Sequence, residues 1–122
     1  MLKIQKEIRG FLEERDWITD DISGYVKSIS IEAAELLEHF QWKDLKASDL
    51  KKDPEKFEKV KKELADVLIY SLDLAVMLGE DAESIIRAKV EHNKKKFPVD
   101  QVKGKSEMVK KIQQEWRQKG IN

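Results

Sequence analysis

Two acidic pairs hold the strongest chemical signal in this 122-residue chain. Glu32 and Glu35 lie in the run Ile29-Ser30-Ile31-Glu32-Ala33-Ala34-Glu35-Leu36-Leu37. Glu63 and Asp66 lie in Glu63-Leu64-Ala65-Asp66-Val67-Leu68-Ile69. A spacing of three puts both carboxylates of a pair on one side of a helix, a turn apart. Both pairs are embedded in apolar sequence, where an uncompensated negative charge is costly. Four carboxylates on two helices with facing apolar stripes require a cation. An all-oxygen ligand set suits a hard divalent ion such as Mg2+, with Mn2+ as a substitute. One such pair alone is ordinary on a solvated face, where lysines neutralise it; two pairs, each inside an apolar run, are not. A redox di-iron bundle would use Glu-x-x-His motifs, and neither Glu35 nor Glu63 is followed by histidine at that spacing. The two histidines, His39 and His92, read as ordinary partly exposed residues.

The elements that must position these acids are helices. Five glycines and two prolines leave little punctuation for a strand-rich fold. Ile4, Ile8, Phe11 and Leu12 give a first amphipathic helix over about 1–15, and Trp17 to Gly24 reads as a loop. The second helix spans about 25–42, with Ile29, Ala33, Leu37 and Phe40 as its apolar side. A Lys- and Asp-rich surface connection follows over about 43–53. Asp53-Pro54 then starts a long third helix that ends at Gly79. On it, Glu63 and Asp66 flank the apolar stripe, with Tyr70 and Asp73 on the same edge. A fourth helix covers about 81–96 and stops before Phe97-Pro98. Residues 99–105 read as a loop, and a short amphipathic segment with Met108, Val109, Ile112 and Trp116 begins at Ser106.

Composition narrows the function classes. The chain has 24 basic and 24 acidic residues and a net charge of zero, which argues against a general nucleic-acid binder. It has no cysteine, so thiolate catalysis, disulfides and cysteine zinc sites are absent. No apolar run reaches the roughly 18 residues of a membrane span, and residues 1–7 lack a signal-peptide core, so the expected location is cytoplasmic.

The strings Ser28 to Trp42, Glu63 to Tyr70 and Lys89 to Pro98 resemble, in order and spacing, the MazG-like all-α nucleoside triphosphate pyrophosphohydrolases, and within them the dCTP-pyrophosphatase-like branch. The resemblance covers about residues 5–105. It implies a Mg2+-dependent cut between the α- and β-phosphates, giving a nucleoside monophosphate and pyrophosphate, and a homo-oligomer with active sites at subunit contacts. It makes Glu32, Glu35, Glu63 and Asp66 metal ligands. Lys89 and Asn93 become the Lys-x-x-x-Asn that reaches the phosphates, and Trp42 and Trp17 the walls of a base pocket. Glu38 also follows the family pattern, and either Glu35 or Glu38 is a candidate for accepting the proton of the attacking water. Two departures bear on base and sugar selection. Relatives often carry His-x-Pro-x-Asn after the first tryptophan, where this chain has the shorter Thr19-Asp20-Asp21-Ile22-Ser23-Gly24, and Phe97 replaces a frequent tyrosine.

The expectation is therefore an all-α fold: four main helices in a bundle completed by oligomerisation, as a dimer or tetramer, plus a short C-terminal helix. The catalytic domain would be 1–105 and the helical tail 106–122. The expected partners are a nucleoside triphosphate and further copies of the chain, with no nucleic acid and no membrane. The competing readings are a dUTP or phosphoribosyl-ATP type pyrophosphohydrolase using the same carboxylates, or a helical oligomer that binds metal or nucleotide without turnover.

Overall fold

A computed structural model describes residues 1–121, and these residues form helices and connections only. In chain order the helices are α1 (Lys3–Glu14), α2 (Ser23–Glu38), α3 (Ala47–Lys51), α4 (Pro54–Met77), α5 (Ala82–Lys96), α6 (Val99–Val102) and α7 (Ser106–Gln118). The all-α expectation holds. None of the helices among the described residues is long and apolar enough to cross a membrane.

Three local differences from the sequence reading have simple causes. Helix α2 begins two residues earlier than expected and ends at Glu38 rather than Trp42; the chain turns through Phe40 and Gln41, whose N–H groups reach back only three residues. The connection over 43–53 contains the short helix α3, started by the Asp49 carboxylate accepting from the Lys46 N–H at 2.8 Å. The segment 99–105 likewise contains the single turn α6, set by Pro98 just ahead of it.

The chain divides into two compact units, Met1–Ala82 and the residues from Glu83 onward. In the first, α4 is the spine, with α2, α1 and α3 packed on it. Its start is fixed as the sequence indicates: Asp53 Oδ1 accepts from the Lys56 N–H at 3.1 Å, and Pro54 occupies the first helical position. Its end is a Schellman turn. The Glu80 N–H donates to the Ala75 carbonyl and the Gly79 N–H to the Val76 carbonyl, which needs the φ of +69° that Gly79 supplies. In the second unit, Ile112 of α7 is buried, and the His92 and Trp116 rings meet edge to face at 5.4 Å.

The core of the first unit is small: Leu12, Val60, Ala75, Val76 and Ala82. Its least expected member is Gln5, at 0% exposure on the inner side of α1. The amide is satisfied at both ends. Nε2–H donates to the Glu80 carbonyl at 2.8 Å, and Oε1 accepts from the Ala82 N–H at 2.9 Å. One side chain thus fastens α1 to the turn leaving α4. Replacing Gln5 by Ala strands the buried Ala82 N–H, costing ~1–3 kcal/mol, and takes the donor from the part-buried Glu80 carbonyl. The expected result is a clear drop in the urea midpoint with the m-value unchanged; an unaltered midpoint would show the clasp to be dispensable.

Candidate active site

Packing of α2 against α4 brings the two acidic pairs together. One carboxylate oxygen from each of Glu32, Glu63 and Asp66 lies within 4.8 Å of the other two. Glu35 joins them, with its carboxyl in side-chain hydrogen-bonding contact with those of Glu32 and Glu63. Such crowding raises the cost of ionisation. Glu32 is pushed up to about 7, first by sharing a proton with Glu35, then by burial and by the charges of Glu35, Asp66 and Glu63. Glu63 is raised by burial, by the same hydrogen bonding with Glu35, and by the charges of Glu35 and Asp66. His39 opposes that shift, with Nε2 3.9 Å from Glu63 Oε1. The Oε2 atom of Glu32 is buried without a hydrogen-bond partner. A cluster of oxygen donors that repel one another, one of them stranded, fits a hard divalent cation.

A cavity of about 630 Å3 adjoins this cluster, with Asp66 in its lining. Its α4 wall is the stripe Asp66, Ile69, Tyr70 and Asp73, at positions i, i+3, i+4 and i+7 of one helix face. Ile4, Ile8, Phe11 and Leu12 of α1 form the opposite apolar side, with Glu7 at its exposed margin, and Trp17 and Tyr25 complete it. Trp17 is held by backbone geometry. Helix α1 ends in a second Schellman turn, where the Trp17 N–H donates to the Leu12 carbonyl at 2.9 Å and the Asp16 N–H to the Glu13 carbonyl at 3.1 Å. Asp16 takes the left-handed position, φ 56°, usually given to glycine. The indole then meets Phe11 edge to face at 5.9 Å, and the Tyr25 hydroxyl donates to the Trp17 carbonyl at 3.3 Å. The connection beyond is tied to α4 by the Thr19 N–H, which points at Met77 Sδ at 3.3 Å. Asp73 is buried, and that burial raises its carboxyl above the usual carboxylate range. The Tyr25 phenol is raised by burial, then by the charges of Asp73 and Tyr70.

Of the residues singled out from sequence, Glu32, Glu35, Glu63 and Asp66 come together, and Trp17 lines the adjoining cavity. Glu38 is exposed at the last residue of α2, outside the group of converging carboxylates. Trp42 lies beyond α2 and is 89% exposed. Lys89 and Asn93 sit one turn apart on α5, both exposed, in the second unit. Sequence reading missed the involvement of His39, which its spacing could have revealed: it stands four residues after Glu35 and seven after Glu32, on the same helix face. It also missed Tyr25, whose contact with Trp17 depends on the path of the loop between them and has no periodic signature.

Comparison with known proteins agrees with this architecture. A family model described as "MazG-like family" matches residues 27–112. The dCTP pyrophosphatase 1 proteins of Rattus norvegicus and Mus musculus are each 31% identical over 96 residues, covering 77% of this chain. The match spans 56% of the length of those two relatives. The crystal structure of a pyrophosphatase from Archaeoglobus fulgidus superposes with a TM-score of 0.66 at 33% identity, covering 79% of this chain and 90% of that one. With the family model matching most of its length and both acidic helices packed face to face, the chain belongs to the MazG-like family.

Proposed function

We propose that the chain is a Mg2+-dependent nucleoside triphosphate pyrophosphohydrolase that cleaves between the α- and β-phosphates and removes unwanted deoxynucleotides or modified nucleotides from the pool. The observation that carries this reading is the convergence of Glu32, Glu63 and Asp66 at the edge of a nucleoside-sized cavity. The family and its pyrophosphatase relatives support the reaction class.

In this reading Glu32, Glu35, Glu63 and Asp66 hold the cation. When bound, a divalent ion neutralises phosphate charge and lowers the pKa of a coordinated water. Glu35, in hydrogen-bonding contact with Glu32 and Glu63, is the residue to accept the proton of the attacking water. Glu38, exposed one turn further on, is the other candidate for that role. Lys89 and Asn93, four apart on one face of α5, offer a point charge and an amide of the kind that binds phosphate. Trp17 stacks on the base inside the cavity, and Trp42 supplies a second wall.

Assembly as a homo-oligomer, dimer or tetramer, completes the site. It is supported by the apolar surface that one chain leaves open: a groove lined by Ala33, Leu36, Leu37, Phe40, Val60 and Leu64, of about 480 Å3. Leu37 in that groove is 64% exposed, and Leu68, one turn beyond Leu64, is 55% exposed. Light scattering on the eluted protein is expected to give a multiple of the 14.3 kDa chain mass, and Leu37→Glu is expected to shift it toward a single chain. A monomeric wild type would remove subunit completion of the site.

A panel of ribo- and deoxynucleoside triphosphates, with products identified, tests the reaction. The expected products are monophosphate and pyrophosphate, with kcat reduced at least about 100-fold in Glu63→Gln. Release of orthophosphate and a diphosphate would overturn the cleavage position, and no turnover at all would overturn the enzyme.

The cluster also sets a pH dependence. Glu32 and Glu63 lie above their ordinary value of 4.5 in the fold, so the folded state holds protons that the unfolded chain releases. The contribution of these two carboxyls to the stability of the metal-free protein is then fully present below about 4.5 and is lost as pH rises toward about 7. In chelator, Tm is expected to be lower at pH 8 than at pH 5, and added Mg2+ is expected to restore it at pH 8. A metal-free Tm that rises over that range would contradict the crowding.

A further inference from the structure

The α4 stripe that lines the cavity has a carboxylate at each end. Asp66 belongs to the converging cluster; Asp73 stands seven residues on, two helical turns or ~10 Å along the axis. Between them the wall is Ile69 and Tyr70, and the facing side is apolar and aromatic apart from Glu7, which is exposed to solvent. Asp73 is 6% exposed, and no Lys, Arg or His lines the cavity. The nearby Tyr25 hydroxyl donates to the Trp17 carbonyl, so its proton is directed at the loop. A carboxyl kept in an apolar cavity with no basic side chain in its lining is costly to fold. It is also the feature that reads a ligand's hydrogen-bond donor, because an apolar wall discriminates shape and an acceptor placed in it discriminates polarity.

Which donor follows from distance. If the phosphates sit at the Asp66 end, as the proposed function has it, the base of a bound nucleotide reaches the Asp73 end. An oxygen acceptor there suits an exocyclic amino group, as on cytosine or adenine. The ring positions that carry oxygen instead, as in uracil or hypoxanthine, would set two acceptors against each other. We propose that Asp73 is a specificity-determining residue that accepts a hydrogen bond from the exocyclic amino group of the nucleobase, so that the enzyme takes amino-bearing bases in preference to their oxo counterparts. This inference rests on the cavity being the base site of a nucleotide hydrolase.

Two substrate pairs differ only in amino against oxo at one ring position and its adjoining nitrogen: dCTP with dUTP, and dATP with dITP. Wild type is expected to favour the amino member of its better pair by tenfold or more in kcat/KM. Asp73→Leu, which removes the acceptor while keeping the branch at Cγ, is expected to shrink that ratio at least tenfold, because the amino member loses far more than the oxo member. Asp73→Asn, which retains a carbonyl acceptor, is expected to keep the preference. A purely structural role would lower both members together and leave the ratio intact, and that outcome overturns the assignment. Should Asp73→Leu fail to fold, the wild type decides through the triphosphate of 2-pyrimidinone deoxyriboside, which lacks only the amino group of dCTP: a tenfold loss relative to dCTP supports Asp73 as the reader, and equal turnover overturns it. Wild type that hydrolyses nucleotides without amino preference removes this inference alone; wild type that hydrolyses none removes the proposed function and this inference with it.

Discussion

Everything in the first unit is arranged around a repulsion. Packing α2 on α4 is favourable through the apolar residues that flank the acids, yet the same packing presses Glu32, Glu35, Glu63 and Asp66 into one small volume. The protein relieves the conflict only in part. Hydrogen bonding with Glu35 and the His39 imidazole beside Glu63 offset part of it, while one oxygen of Glu32 stays buried without a partner. A contact that is this costly when empty of positive charge is poor scaffolding and good preorganisation: donors already held together need little rearrangement to take up a cation.

Helix α4 is the element on which these demands meet. Its buried side supplies Val60, Ala75 and Val76 to the core, its acidic edge supplies Glu63 and Asp66, and the stripe from Asp66 to Asp73 forms a cavity wall. A single helix can serve all three because 3.6 residues per turn distribute these positions around its circumference. The aromatic side of the cavity is set by different means. Trp17 sits on an irregular connection, and its position is fixed by the left-handed Asp16 and by hydrogen bonds from Tyr25 and to Leu12.

The helices were legible in the sequence because their signals are periodic and their ends carry recognised chemistry: Asp53-Pro54 at the start of α4 and Gly79 after its end behave as their residue types require. The short helices α3 and α6 were not, since one or two turns leave no periodicity to detect. The acidic cluster was legible for the same reason as the helices, two carboxylates per helix at a spacing that must share a face. Asp73 could be placed on the correct edge, but its burial depends on α1 and Trp17 closing over that edge, a tertiary event that no local pattern encodes. Gln5 was invisible: a glutamine among charged residues at the start of an amphipathic helix gives no hint that it satisfies backbone groups seventy-five and seventy-seven positions away.

That last contact has a consequence for how the chain is made. Residues 5 and 82 can join only after nearly all of the first unit has left the ribosome, and closing so long a loop carries a large entropic cost before any reward is collected. The helical hairpin of α2 and α4 spans a shorter loop and makes the larger contact, so it is suited to form first and offer a surface. Helix α1, which precedes α2 and α4 in the chain, is then the last of the three to dock, and until it does the aromatic mouth beside the acids has only one side.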